Sequence, residues 1–298
     1  MADLIQHDGR QINPARVYLA TLQPGGRTGV YYQLRAVAKI LTGQADIDQV
    51  PWHRVDRQTV IAIVEKLRSD GKAPATVNHT LSILKRVSEE AMGLGMMDLE
   101  TYTRVSQVRR PKGSRLPAGK ALARQVVRAA IDRCLQEDTG KGLRDATLLA
   151  VGTGCGLRCD ELTNLRVTDV SADLRSLRFI GKGNKEAVQP VPPATAELLE
   201  EHLDQVRSEG PLFPRWRRHD CAAATALTEA GVYFIVRHRL GGGTTPHDLR
   251  RSFATWLDED GQPLSVIQRL MRHSNPETTM RYIRNNAKIE EAGAALSF

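Results

Sequence analysis

The chain has 298 residues, 41% hydrophobic and 26% charged, a length and balance that suit one large or two ordinary globular domains. No apolar run approaches the ~18 residues that span a bilayer, which excludes a membrane partner of the helix-spanning kind. A formal net charge of +8 favours a polyanionic partner, most simply nucleic acid.

The chain opens Met1-Ala2-Asp3-Leu4-Ile5-Gln6-His7-Asp8, polar and acidic, with no secretory signal, so a reducing cytoplasm is expected. Residues 14–100 read as helices. Val17, Leu19 and Leu22 form a short apolar set closed by Pro24-Gly25-Gly26. Thr28 is the expected cap of the next helix, whose Leu34, Val37, Ala38, Ile40 and Leu41 recur at helical spacing as far as Gly43. Asp56 caps a third helix that Gly71 ends, and Thr76 begins a fourth that runs to Gly93. Four short amphipathic helices make an all-α bundle over residues 1–108. The charge gathers here: residues 1–117 hold 17 Lys and Arg against 11 Asp and Glu, leaving 25 against 23 for the remainder.

The helical pattern lapses near Arg104. Residues 109–118 then read as a linker, and Arg109, Arg110, Lys112 and Arg115 make it a cationic segment suited to crossing a DNA backbone.

Residues 119–298 read as a second, mixed but mostly α domain. A helix carries Val126, Val127, Ala130, Ile131 and Leu135, and a buried one covers Asp145 to Val151. A glycine-rich stretch, Gly152-Thr153-Gly154-Cys155-Gly156, separates it from a helix beginning at about Arg158 or Cys159. Cys155 and Cys159, four apart, read as small core residues that could share a helical face. Leu177 to Ile180 and Ala187 to Val191 flank Gly181-Lys182-Gly183-Asn184-Lys185 as a β-hairpin. Further helices are expected over 194–207, 222–238, 246–259, 263–272 and 276–284. Trp52, Trp216 and Trp256 read as core or interface aromatics.

The chemistry collects at a few of these places. Arg158 sits where a loop enters a helix, beside backbone donors and the positive helix end. Pro246-His247-Asp248-Leu249-Arg250 precedes Arg272-His273-Ser274, and Tyr282 follows the second histidine by nine residues. A phenol of pKa ~10 attacks nothing unless cations and a base make it a nucleophile. Arginine forks suit phosphate, because each guanidinium pairs two oxygens at once.

Taken in order, Gly156-Leu157-Arg158-Cys159-Asp160-Glu161-Leu162, Gly181-Lys182-Gly183-Asn184-Lys185, His247-x-x-Arg250, His273 and Tyr282 closely resemble the tyrosine site-specific recombinases, the phage-integrase family. The motifs cover residues 120–285, and the helical N-terminal part is similar to that family's core-binding domain. The resemblance implies two domains that close as a C-shaped clamp on duplex DNA. It also implies a tetramer on two sites and strand exchange through a 3′-phosphotyrosyl intermediate, with no metal, ATP or other cofactor. Arg158 and Arg250 would clamp the scissile phosphate and Tyr282 would attack it. Lys182, with Lys185 as a rival, would protonate the leaving 5′-oxygen. His247 would assist proton transfer at the tyrosine, His273 would add a hydrogen bond to phosphate, and Glu161 would support the site.

Arg272 departs from the glycine common before the second histidine, and Cys159-Asp160 from the commoner Ile-Ser; neither is expected to carry chemistry. With no arm-binding domain expected before residue 14, a simple recombinase or small mobile-element integrase fits better than a large phage integrase. Ile289, Ala292, Leu296 and Phe298 lie on roughly one side of the tail, an arrangement that in this family often packs on a neighbouring protomer. The alternatives are a type IB topoisomerase and a non-catalytic DNA-binding protein of the same fold. The full residue set argues against the second, since a binding module needs no nucleophile.

Overall fold

Asn13 opens the first helix. Its side-chain oxygen accepts from the amides of Ala15 and Arg16, and Pro14 at the first helical position loses no needed hydrogen bond. The structure, a computed structural model, describes residues 12–113, 119–181, 185–217 and 221–272. The chain divides into two units, Met1–Leu116 and Pro117–Phe298. No helix among the described residues is long and apolar enough to cross a membrane.

The first unit holds α1 (Pro14–Thr21), α2 (Pro24–Thr42), α3 (Arg57–Ser69), α4 (Pro74–Gly93) and α5 (Leu99–Ser106). The inner stripes of α2, α3 and α4 supply Leu34, Val37, Ile63, Leu81 and Leu84 to one core. Trp52, on a 3₁₀ turn, is buried there with its indole N–H donating 2.7 Å to the Ile47 carbonyl. Asp56 caps α3 as expected, accepting 2.8 Å from the Thr59 amide.

Three local expectations are corrected in this unit. Pro24-Gly25-Gly26 is the first turn of α2 and not a loop, because Pro24 at the first helical position is pre-set for a helix. Thr28 therefore lies inside α2, and α4 likewise starts at Pro74, ahead of Thr76. A fifth helix, α5, was not foreseen; Asp98 caps it by accepting 2.8 Å from Thr101.

The second unit holds α6 (Arg124–Leu135), α7 (Gly140–Gly154), α8 (Cys159–Asn164), β1 (Ser176–Gly181) and β2 (Lys185–Pro190). It continues through α9 (Pro193–Leu203), β3 (Pro214–Arg217), β4 (Cys221–Ala226), α10 (Glu229–Leu240), α11 (Pro246–Glu259) and α12 (Leu264–Met271). Helix α7 is buried from Gly142 to Thr153 and packs against α6, α9 and α11. It carries two charged residues into the interior, which is tolerable only because they are paired. Asp145 accepts from Arg144 at 2.5 Å and from Arg239 of α10 at 2.7 Å. The expected hairpin is present: β1 and β2 pair antiparallel from Ser176↔Pro190 to Gly181↔Lys185, with Leu177 and Phe179 turned inward.

Residues 222–238 do not form one helix. Their first part is β4, paired antiparallel with β3, and only then does α10 begin, with Thr228 at its N-cap. Cys221-Ala222-Ala223-Ala224-Thr225-Ala226 has strong helical propensity, but propensity is a weak prior and pairing with a strand overrides it. Cys155 and Cys159 share no helix either: Cys155 closes α7 and Cys159 opens α8. The helix expected over 276–284 lies outside the described residues.

Candidate active site

Helices α7, α8 and α11, the end of α12 and the β1–β2 hairpin bring the described candidates together. Between α7 and α8 the chain turns at Gly156, whose φ of +59° suits glycine. A Cβ there would stand 2.3 Å from the Phe253 ring of α11, so only a glycine lets that ring pack beneath the turn. Leu157 is fully buried and anchors the strand of chain that delivers Arg158 to the N-cap of α8.

Arg158 is held by Glu161, one turn along. Glu161 Oε2 accepts 2.8 Å from the Arg158 amide, and Oε1 accepts 2.7 Å from its guanidinium. The two differ sharply in exposure, 27% for the arginine side chain and 1% for the carboxylate. Arg158 therefore presents charge outward while its base is fixed from within. Burial pushes the Glu161 pKa up, but Arg272 and the donors of Arg158 outweigh it and hold the carboxyl below its usual range.

Helix α11 carries His247 and Arg250. Its start is closed by Asp248, whose Oδ2 accepts from the Thr245 amide at 2.9 Å and hydroxyl at 2.7 Å. Arg250 is 1% exposed, and its guanidinium donates to the carbonyls of Gly156 and Met271. It thus ties the turn before Arg158 to the end of α12, which leads to His273. His247, one turn earlier, has an exposed edge, yet its packing and the cations Arg251 and Arg250 push its pKa below the ordinary histidine value. Near neutral pH the imidazole is uncharged and can accept a proton.

Arg272 is the last described residue and adopts a left-handed backbone at φ 53° and ψ 42°, which costs a residue with a Cβ about 1–2 kcal/mol. Its side chain turns into the site. Nη2 donates 2.7 Å to Glu161 Oε2, Nη1 donates to Gln189 Oε1 on β2, and the guanidinium lies 4.8 Å over the Phe179 ring of β1. The hairpin reaches the same place by its end: a Cβ at Gly181, the residue before Lys182, would stand 3.4 Å from Glu161 Oε1.

Arg158, Glu161, His247 and Arg250 are therefore gathered in one neighbourhood. Lys182, His273 and Tyr282 lie outside the described residues, as does Arg115 of the linker. Lys185, the rival to Lys182, opens β2 opposite Gly181 and is exposed. Arg109, Arg110 and Lys112 are exposed, on a segment laid along α4. There the Lys85 ammonium donates 2.8 Å to the Val108 carbonyl, Asn78 donates 3.2 Å to the Pro111 carbonyl, and Arg110 donates 3.3 Å to Ser82. Sequence reasoning missed Arg272, Gln189 and Phe179 as members of this neighbourhood. Only Arg272 had a signal, its place immediately before His273.

The phage integrase family model matches residues 120–288. The tyrosine recombinase XerC of Shewanella amazonensis is 30% identical over 242 residues, 79% of each chain. The tyrosine recombinase XerD of Lacticaseibacillus casei is 30% identical over 238 residues, 75% of this chain and 76% of that one. Among solved structures, a lambda integrase dimer bound to a COC' core site superposes with a TM-score of 0.64 at 15% identity, covering 96% of this chain and 85% of that one. The XerH recombinase bound to palindromic difH, a post-cleavage complex, gives 0.63 at 18% identity, covering 89% and 76%. At these identities the structural likeness speaks for the fold.

Proposed function

We propose that this chain, which belongs to the phage integrase family and is a site-specific recombinase that breaks and rejoins DNA, cuts with Tyr282 as its nucleophile. The Tyr282 phenol oxygen attacks the scissile phosphorus and passes its proton to His247. Arg158 and Arg250, with His273, hold the non-bridging oxygens and stabilise the added charge of the five-coordinate transition state. The bond to the 5′-oxygen breaks, and Lys182 supplies the proton that leaves it as a hydroxyl. What remains is a 3′-phosphotyrosyl bond. A 5′-hydroxyl from the partner strand attacks that bond in the reverse sequence and regenerates the phenol. Because the phosphotyrosyl ester conserves the energy of the broken phosphodiester, rejoining needs no ATP. The charge of the transition state is met by guanidinium and ammonium groups, so the reaction is assigned no metal.

The observation that carries this reading is the placing of Arg158. It is partly exposed at a helix start, fixed from beneath by a buried carboxylate, and joined through Arg250 to the chain that leads to His273 and Tyr282. The neutral His247 beside it has the protonation state that a general base requires. Double-stranded DNA bearing a specific site is the proposed substrate, gripped by both units, with the cations Arg109, Arg110, Lys112 and Arg115 on its backbone. Four protomers on two sites are the proposed assembly, and the cytoplasm is the proposed compartment.

The deciding experiment uses a nicked suicide substrate. The native chain is expected to form a protein–DNA adduct that survives denaturant and excess EDTA. Tyr282→Phe should bind the same DNA and form none. An adduct from that variant, or loss of native cleavage in EDTA, would overturn the mechanism.

A further inference from the structure

Arg272 stands in a costly backbone conformation, and what it gains there is its contacts with Glu161, Gln189 and Phe179. Its backbone is left-handed, and its buried Nε finds no acceptor among the described residues. Its partner Gln189, itself 1% exposed, has a buried Nε2 without an acceptor among the described residues as well. Unmade hydrogen bonds at buried donors are expensive, so the bonds that the guanidinium does make, to Glu161, Gln189 and the Leu270 carbonyl, are made at a cost. Local rules are broken in this way where function demands it.

What the placement achieves is visible in Glu161. The carboxylate is shared: one oxygen takes Arg158 Nη1 at 2.7 Å, the other takes Arg272 Nη2 at 2.7 Å. Paired with Arg158 alone, a buried carboxylate would cancel most of that arginine's field at short range. With both arginines present the cluster keeps a single net positive charge. Phe179 beneath the guanidinium and Gln189 at its edge fix the plane of Arg272, so the division of Glu161 between two partners is held rigidly.

We propose that Arg272 is a positioning residue for strand cleavage: by taking up the second oxygen of Glu161 it locks Arg158 in place and leaves its charge available to the scissile phosphate. This rests on the assignment of Arg158 to the phosphate and adds to it a residue that does not touch substrate. Arg272 neutralises the support so that the support does not neutralise the clamp.

The test is single-turnover cleavage of a nicked suicide substrate at saturating DNA, with the full chain. Arg272→Gln is expected to slow adduct formation by about tenfold, less than the ~10²–10³ lost with a donor that itself touches the transition state, and to leave DNA binding unchanged. Arg272→Gly relaxes the left-handed turn and removes only the side chain; it should be equally slow. The decisive variant is Arg272→Gln with Glu161→Gln. Removing the uncompensated carboxylate should restore most of the lost rate, which a merely structural Arg272 would not allow. A double variant slower than Arg272→Gln alone, or a glycine variant at the native rate, overturns the proposal. Arg158→Ala is the separate control: if it cleaves at the native rate, the assignment of Arg158 itself fails, whereas a slow Arg158→Ala beside a native-rate Arg272→Gln overturns the role of Arg272 alone.

Discussion

Replacing Gly156 with alanine tests whether the turn before Arg158 is built as described. Two costs add. An alanine at φ +59° pays about 1–2 kcal/mol for the left-handed backbone. Its Cβ would also lie 2.3 Å from Phe253 Cδ1, 2.8 Å from Cγ and 2.9 Å from Cε1, a clash with a rigid ring. Forced overpacking of that kind costs about 1–3 kcal/mol. The sum, about 2–5 kcal/mol, lowers the melting temperature of a domain this size by about 4–20 °C at about 2–4 °C per kcal/mol. Thermal unfolding followed by circular dichroism measures it. Phe253→Ala separates the two costs. It destabilises by itself, yet in combination with Gly156→Ala the steric cost disappears, so the double variant should be more stable than the sum of the singles by about 1–3 kcal/mol. The backbone cost alone should persist. Cleavage should fall in Gly156→Ala, because the shifted turn no longer delivers Arg158. A single variant that melts with the native chain, or strict additivity in the double, would refute the geometry assigned to this turn.

Two further outcomes follow from the rest of the molecule. Replacing Arg109, Arg110 and Lys112 with alanine should shallow the salt dependence of DNA binding by up to about three units, at about 0.9 counterion per phosphate contact, with little change in site preference; an unchanged slope would remove the segment from the interface. His202 is fully buried, its Nε2–H donating 2.8 Å to the Leu212 carbonyl, and burial, with Arg144 nearby, pushes its pKa below the ordinary value. The unfolded chain therefore takes up a proton that the folded chain refuses. Stability should be full above about pH 6.5 and decline as pH falls from there toward the folded pKa; chemical denaturation at pH 7.5 and 5.5 measures this, and His202→Gln should lose that part of the slope.

Much of the architecture was legible in the residues because its signals are local. The Asp56 cap, the apolar spacing of α2 to α4, the alternation in β1 and β2, and the boundaries of α11 all depend on neighbours within a few positions. The ordered motifs around Arg158 and from His247 to Arg250 were legible for the same reason, since each is a short word in the chain. The alanine-rich stretch that became β4 was misread because its strand character lies in the pairing with β3 and not in its own composition. Helix α5 was lost where the apolar period is too short to register.

The amino-acid sequence by itself determined that this is a helical, basic, two-part chain with the residue set of a phosphoryl-transfer site. It could not tell what those residues do to one another. That Arg250 spends donors on the carbonyls of Gly156 and Met271, and that Arg272 reaches across 111 positions to share Glu161 with Arg158, only the tertiary structure decided. The physical reason is that a guanidinium's partner is set by which loops the packed core brings within about 3 Å of it, and no spacing along the chain encodes that distance.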